Sequence, residues 1–239
     1  RVNGTGALFF EKLDVTKTGS TWATDGDYYW GTAPLDFYSY STSNKGVKGT
    51  GDYFGTVCPN LAYAWDTATK SYKLTGVNTG TGSTDQYDLL IAKNTNVTPS
   101  NNAVTVNFKH AFARVTFKIR GTSKNCKYYI KQLYLAGYHR SGEFTFPTAT
   151  TDDKATTSIA TSQWKTTDEL TTLYSPNYGK DNNDFTELSQ FPFVFVGSTD
   201  KSKNTYPLLR SNTYTGEDVA EYFFIPVSYT HLRAHETGA

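Results

Sequence analysis

The chain has 239 residues and a net charge of +1, from 23 basic and 22 acidic side chains. That balance supplies neither a basic field for nucleic acid nor a polybasic patch for a membrane surface, and no run approaches the ~20 apolar residues of a membrane helix. Met is absent, helix formers are scarce, and Thr, Ser, Asn, Gly and Tyr punctuate short apolar runs, so an all-β fold is expected.

In chain order, Ala7 to Val15 reads as a strand, followed by a turn at Thr18-Gly19-Ser20. Thr21 to Trp30 holds two tryptophans and a hairpin-turn candidate at Asp25-Gly26-Asp27. Leu35 to Tyr40 alternates Leu35, Phe37 and Ser39 against Asp36, Tyr38 and Tyr40, the pattern of a strand with an aromatic face. Ser41 to Gly51 is a polar loop, Leu61 to Trp65 and Ser71 to Leu74 are short strands around a turn at Asp66 to Thr69, and Val77 to Thr84 is a Gly/Thr-rich loop. Tyr87 to Ala92 is a buried strand. Lys93 to Asn102, KNTNVTPSNN, is polar and holds one proline, and it marks the expected boundary between two domains, 1–98 and 99–226.

Val104 to Ile119, VTVNFKHAFARVTFKI, carries the strongest pattern. Val104, Val106, Phe108 and Phe112 share one strand face with His110, whereas Ala111, Ala113, Val115, Phe117 and Ile119 take the other. A change of parity requires a bulge, a crossing between sheets or cover on both faces, and the overlap places it between His110 and Ala113. Phe108, Phe112, Val115 and Phe117 are the predicted core residues here. Tyr128 to Tyr138, a turn at Ser141-Gly142, Phe144 to Phe146, Phe191 to Val196, Tyr206 to Leu209 and Glu221 to Pro226 follow as further strands or turns.

The last residues stand apart. Val227 to Thr237, VSYTHLRAHET, resembles the translation of a sequencing adapter, so 227–239 reads as a non-native tail and the second domain as truncated. His231 and His235, at helical i, i+4 spacing, are therefore no metal pair. No initiating Met, signal segment or early lipid-bearing cysteine opens the chain, and both natural termini are expected to lie outside it.

Chemistry-bearing candidates are sparse. His110 reads as a core or rim histidine, and His139 has no Cys or carboxylate at metal-ligand spacing. Asp25/Asp27, Asp152/Asp153 and Asp181/Asp184 read as turn formers, since none matches a calcium loop. Nucleophile elbow, P-loop and dinucleotide fingerprint are absent, so no catalytic residue, metal or cofactor is expected. Cys58 and Cys126 allow at most one disulfide and read as free buried thiols. Trp22, Tyr29 and Trp30 read first as sandwich core, and otherwise as rings that stack on sugars.

The succession GALFFEKLDVT, WATDGDYYWGTAPLDFYSYS, QYDLLIA, VTVNFKHAFARVTFKI, YYIKQLYLAGYHRSGEF and EYFFIP resembles the fimbrillin-like proteins of gut and oral anaerobes. The resemblance covers most of Ala7 to Pro226 and implies two transthyretin-like β-sandwich domains. It implies export as a lipoprotein precursor to the outer membrane and a place in a cell-surface fimbrium, with other fimbrial subunits as partners. It also implies polymerisation by strand exchange, in which a neighbour's terminal strand fills a groove bounded by strands near Ala7 to Val15 and Leu35 to Tyr40. Asp66-Thr67-Ala68 resembles the O-glycosylation acceptor motif of bacteria that carry this family, which marks Thr67. The other function class is a surface carbohydrate-binding sandwich with Trp22, Tyr29 and Trp30 as its platform, and host or bacterial surface glycans or proteins would then be partners.

Overall fold

A computed structural model describes residues 1–11, 13–43, 58, 60–79, 88–100, 102–116, 118–119, 125, 127–129, 134–151, 159–174, 194–196, 206–207 and 221–226. The first strands are β1 (Val15–Thr18), β2 (Thr21–Thr24), β3 (Leu35–Ser43), β4 (Ala62–Asp66), β5 (Ser71–Asn78) and β6 (Asp88–Val97). Then come β7 (Lys109–His110), β8 (Ala113–Thr116), β9 (Lys118–Ile119), β10 (Lys127–Tyr129), β11 (Tyr134–Tyr138) and β12 (Ser141–Thr145). The last are β13 (Trp164–Thr166), β14 (Thr171–Tyr174), β15 (Val194–Val196), β16 (Tyr206–Pro207) and β17 (Glu221–Phe224). Among the described residues the only helix is one 3-10 turn, Thr161–Gln163. The protein is all-β.

Two sheets enclose the core: one orders its strands β13-β12-β5-β4, the other β3-β6-β7. Leu74, Val77, Phe144 and Trp164 of the first meet Leu89 and Ile91 of the second, with Ala111, Phe112, Phe146 and Ile225 completing the cluster. Each large apolar side chain taken out of water there contributes about 1.5–3 kcal/mol. Tyr38 of β3 crosses the gap and meets Trp65, Tyr72 and Phe146 edge-on, with centroids 6.0, 5.1 and 5.5 Å away. Burial pushes its phenol up to about 12, with the Asp36 charge adding to the shift.

Between Leu74 and Val77 the pairing with β12 gains one residue on β5. The bulge turns on Gly76, whose φ of +67° suits glycine and whose place a Cβ would fill 2.0 Å from the Asn60 carbonyl oxygen.

Among the described residues one core cluster draws from both sides of the expected boundary at 98/99, and β5 pairs with β12 across it. Lys93, placed in the linker by its polar neighbours, is buried within β6. Its ammonium donates to the Pro147 carbonyl at 2.7 Å and lies 4.8 Å from the Tyr38 ring centroid.

Val104 to Ile119 is not one strand. β7 pairs with β6, β8 with β17 and β9 with β16, and Ala111 and Phe112, both buried, lie at the first change of partner. Phe108 departs from the core expectation: residues 103–108 form no strand, and the residue is 41% exposed. The described residues of Ala7 to Asp14 form no strand either, and Ser141-Gly142 opens β12 instead of turning a hairpin. Phe117, Cys126, the pairs Asp152/Asp153 and Asp181/Asp184, and the tail from Val227 lie outside the described residues.

Candidate functional site

β3 pairs along one side with β6, from Leu35↔Val97 to Ser43↔Asp88. Its other side carries a short ladder to the first three residues. The Asp36 N–H donates to the Arg1 carbonyl at 2.7 Å, the Arg1 ammonium donates to the Asp36 carbonyl at 2.9 Å, and the Asn3 N–H donates to the Pro34 carbonyl at 2.9 Å. Burial lowers the pKa of that ammonium, and the Arg1 guanidinium lowers it further, against the opposing pull of Asp36. After Val2 the chain folds back at once, with Val2 N–H on the Ala7 carbonyl and Gly6 N–H on the Val2 carbonyl, both at 2.8 Å. No described strand pairs with this side of β3 beyond Asp36.

Asp36 ties the edge together. Its Oδ1 accepts from Asn3 Nδ2 and from the Asn96 N–H, each at 2.8 Å. Asn96 sits at φ 56° where β6 carries an extra residue between its partners of Leu35 and Phe37, a left-handed position that asparagine tolerates better than most residues.

On the Leu35/Phe37 face of β3 lies a cleft of about 540 Å³, whose walls include Phe9, Phe10, Tyr28, Trp30, Leu35 and Phe37. Phe10 and Trp30 meet Phe37 at 5.8 and 5.5 Å, with planes inclined by 50° and 73°. The Trp30 indole nitrogen is buried without a hydrogen-bond partner among the described residues. Asp36 and Tyr38 point to the opposite face, so β3 separates the cleft from the main core.

The proposed ring platform is divided. Tyr29, 88% exposed, and half-buried Trp30 both border the cleft. Trp22 projects from β2, 65% exposed, with the Lys17 ammonium 5.5 Å from its ring, and is not among the cleft residues. Thr67 is exposed at the β4–β5 turn, Phe112 is 5% exposed and Val115 is half-buried. The two described histidines engage carboxylates: His110 Nδ1 contacts Asp88, and His139 Nδ1 lies 3.2 Å from Asp168 Oδ1. Among the described residues no group of three or more His, Cys, Asp and Glu is placed to hold a metal ion, and no helix is long and apolar enough to cross a membrane. Cys58 is a free, buried thiol.

The arrangement around Arg1 had no sequence signal, because its partners Asp36 and Tyr72 are 35 and 71 residues away. No local period links such positions.

No curated protein matches the chain, and no solved structure does. The model of one family, described as fimbrillin-like, matches residues 3–215, a span that takes in the β3 edge, the aromatic cleft and both sheets around the core. The chain belongs to the fimbrillin-like family.

Proposed function

We propose that this protein is a structural, non-enzymatic subunit of a cell-surface fimbrium, and that it joins its neighbours by strand exchange at the outer edge of β3. The observation that supports this is the apolar aromatic cleft on the Leu35/Phe37 face of β3, in a chain of the fimbrillin-like family. An antiparallel strand added beyond Asp36 would take up backbone hydrogen bonds from the edge. It would lay alternate side chains on the Leu35/Phe37 face, where the aromatic walls can cover them. A sheet edge beside apolar cover can serve as a receiving site for a partner strand.

The partners in this account are other fimbrial subunits, and the donor is a neighbour's terminal strand. Surface placement, an outer-membrane lipoprotein precursor and two transthyretin-like sandwiches belong to the same proposal, supported by the family. The test is assembly of the full-length, N-terminally processed protein. It should form ordered polymers that disappear when the terminal strand is deleted. A processed protein that stays monomeric and instead binds glycans through Trp22, Tyr29 or Trp30 would favour a carbohydrate-binding sandwich.

A further inference from the structure

The aromatic cleft on the Leu35/Phe37 face of β3 carries charge as well as rings. Asp27 is one of its walls, and its described walls hold no lysine or arginine. Phe10 lies 5.7 Å from Tyr28 and 5.8 Å from Phe37, and the exposed ring of Tyr29 is a further wall. The turn that carries Asp27 is pinned from within. The Thr24 hydroxyl donates to the Gly26 carbonyl at 2.6 Å, and the Tyr28 hydroxyl donates to Asp25 Oδ1 at 3.0 Å. Two carboxylates, Asp25 and Asp27, are thereby held on one short turn beside ring faces that carry negative potential of their own. Elsewhere the chain sets its own cations on its rings. Arg1 lies over Trp65 and Tyr72, Lys93 over Tyr38 and Lys17 over Trp22, each charged group 4.5 to 5.5 Å from the ring centroid. Among the described residues none of these cations sits over a ring of the cleft.

We propose that the cleft binds a small quaternary ammonium, with the charged head against the ring faces and beside the Asp27 carboxylate. Such a cation is apolar at its surface and positive at its centre, so its methyl groups meet the rings while its charge meets both the quadrupoles and the carboxylate. A neutral apolar molecule would strip water from Asp27 without pairing it, and an anion would be repelled by rings and carboxylate alike. The volume of about 540 Å³ falls within the range of small-molecule sites, about 300–1,000 Å³. The site shares its Leu35/Phe37 wall with the face proposed to receive a partner strand. Binding is a property of the unassembled chain, so its outcome leaves strand exchange untouched.

The test is an NMR titration of the full, unassembled chain with choline and with its uncharged isostere, in which a tert-butyl group replaces the trimethylammonium. Choline should bind about tenfold more tightly than the neutral alcohol. Its addition should shift the Trp30 indole N–H signal, which is identified by its loss in Trp30→Phe. Asp27→Asn and Tyr29→Ala, both at exposed positions, should each weaken choline binding several-fold, and Asp27→Asn should leave binding of the alcohol unchanged. Equal affinities for the two probes would reduce the cleft to an apolar surface and overturn the proposal. Choline binding that ignores Asp27→Asn, a shift confined to other indoles, or no choline binding at all would overturn it as well.

Discussion

His110 and Ala113, only three positions apart, belong to different sheets: His110 pairs with Leu90 of β6, and Ala113 pairs with Phe224 of β17. The chain changes partner across Ala111 and Phe112, and both side chains fall inside because each sheet uses one parity. Phe112 stacks on Trp164 with centroids 5.5 Å apart and planes inclined by 20°, and the Trp164 indole donates to the Ala111 carbonyl at 3.0 Å. Phe112→Ala should therefore destabilise the fold by about 3–5 kcal/mol in equilibrium denaturation. A loss below about 1 kcal/mol would remove this crossing from the core.

Gly76→Ala should be among the costliest small substitutions. The left-handed backbone disfavours a Cβ by about 1–2 kcal/mol, and the Asn60 carbonyl blocks the same space. Cys58 Sγ lies 3.1 Å from the Gly76 carbonyl, so the distortion should reach the buried thiol. Thermal melting and thiol-labelling rates would measure it, and an unchanged melting point with an unlabelled thiol would refute it.

Acid should loosen the β4–β5 turn as pH falls toward 2. The Asp66 carboxyl is held at about 2, chiefly by Lys73 and then by the Thr69 and Ala68 N–H groups. Because its pKa is lowered on folding, the ionised carboxylate stabilises the native state. That contribution is complete above the unfolded value of ~3.9 and is lost as pH falls through about 2. Asp66→Asn should flatten the stability profile in that window and lower stability at neutral pH, where the contribution of the carboxylate is complete. An unaltered acid limb would contradict the assignment.

Thr67 occupies the same turn, exposed, directly after the last residue of β4. We propose it as an O-glycan acceptor, since a bulky sugar needs such a site. Mass spectrometry of the native protein should find the Thr67 peptide modified, and finding it wholly unmodified would settle the matter against the proposal.

The sequence exposed the strand class because Thr, Val and aromatic residues dominate short runs, and it located the parity change between His110 and Ala113 because periodicity is local. It could not show that β12 pairs with β5, since that contact spans a polar stretch that looks like a linker. Lys93 illustrates why: its charge suggests solvent, yet the Pro147 and Thr148 carbonyls satisfy it inside. Phe108 errs the other way, an aromatic residue left exposed in a segment that pairs with no described strand. Trp30 and Phe37 were visible as aromatics, but the cleft they share depends on a fold-back that composition does not encode.

The central claim is that β3 receives a neighbour's strand along the side where Asp36 meets Arg1. In an antiparallel ladder alternate residues present N–H and C=O to the same side, so Tyr38, Tyr40 and Thr42 face the edge that Asp36 faces. Residue-resolved hydrogen exchange, comparing full-length processed protein before and after polymerisation, tests this most directly. The account predicts that exchange at the Tyr38 and Thr42 amides slows markedly in the polymer. Polymers that form while those two amides exchange as fast as in the isolated subunit would contradict it.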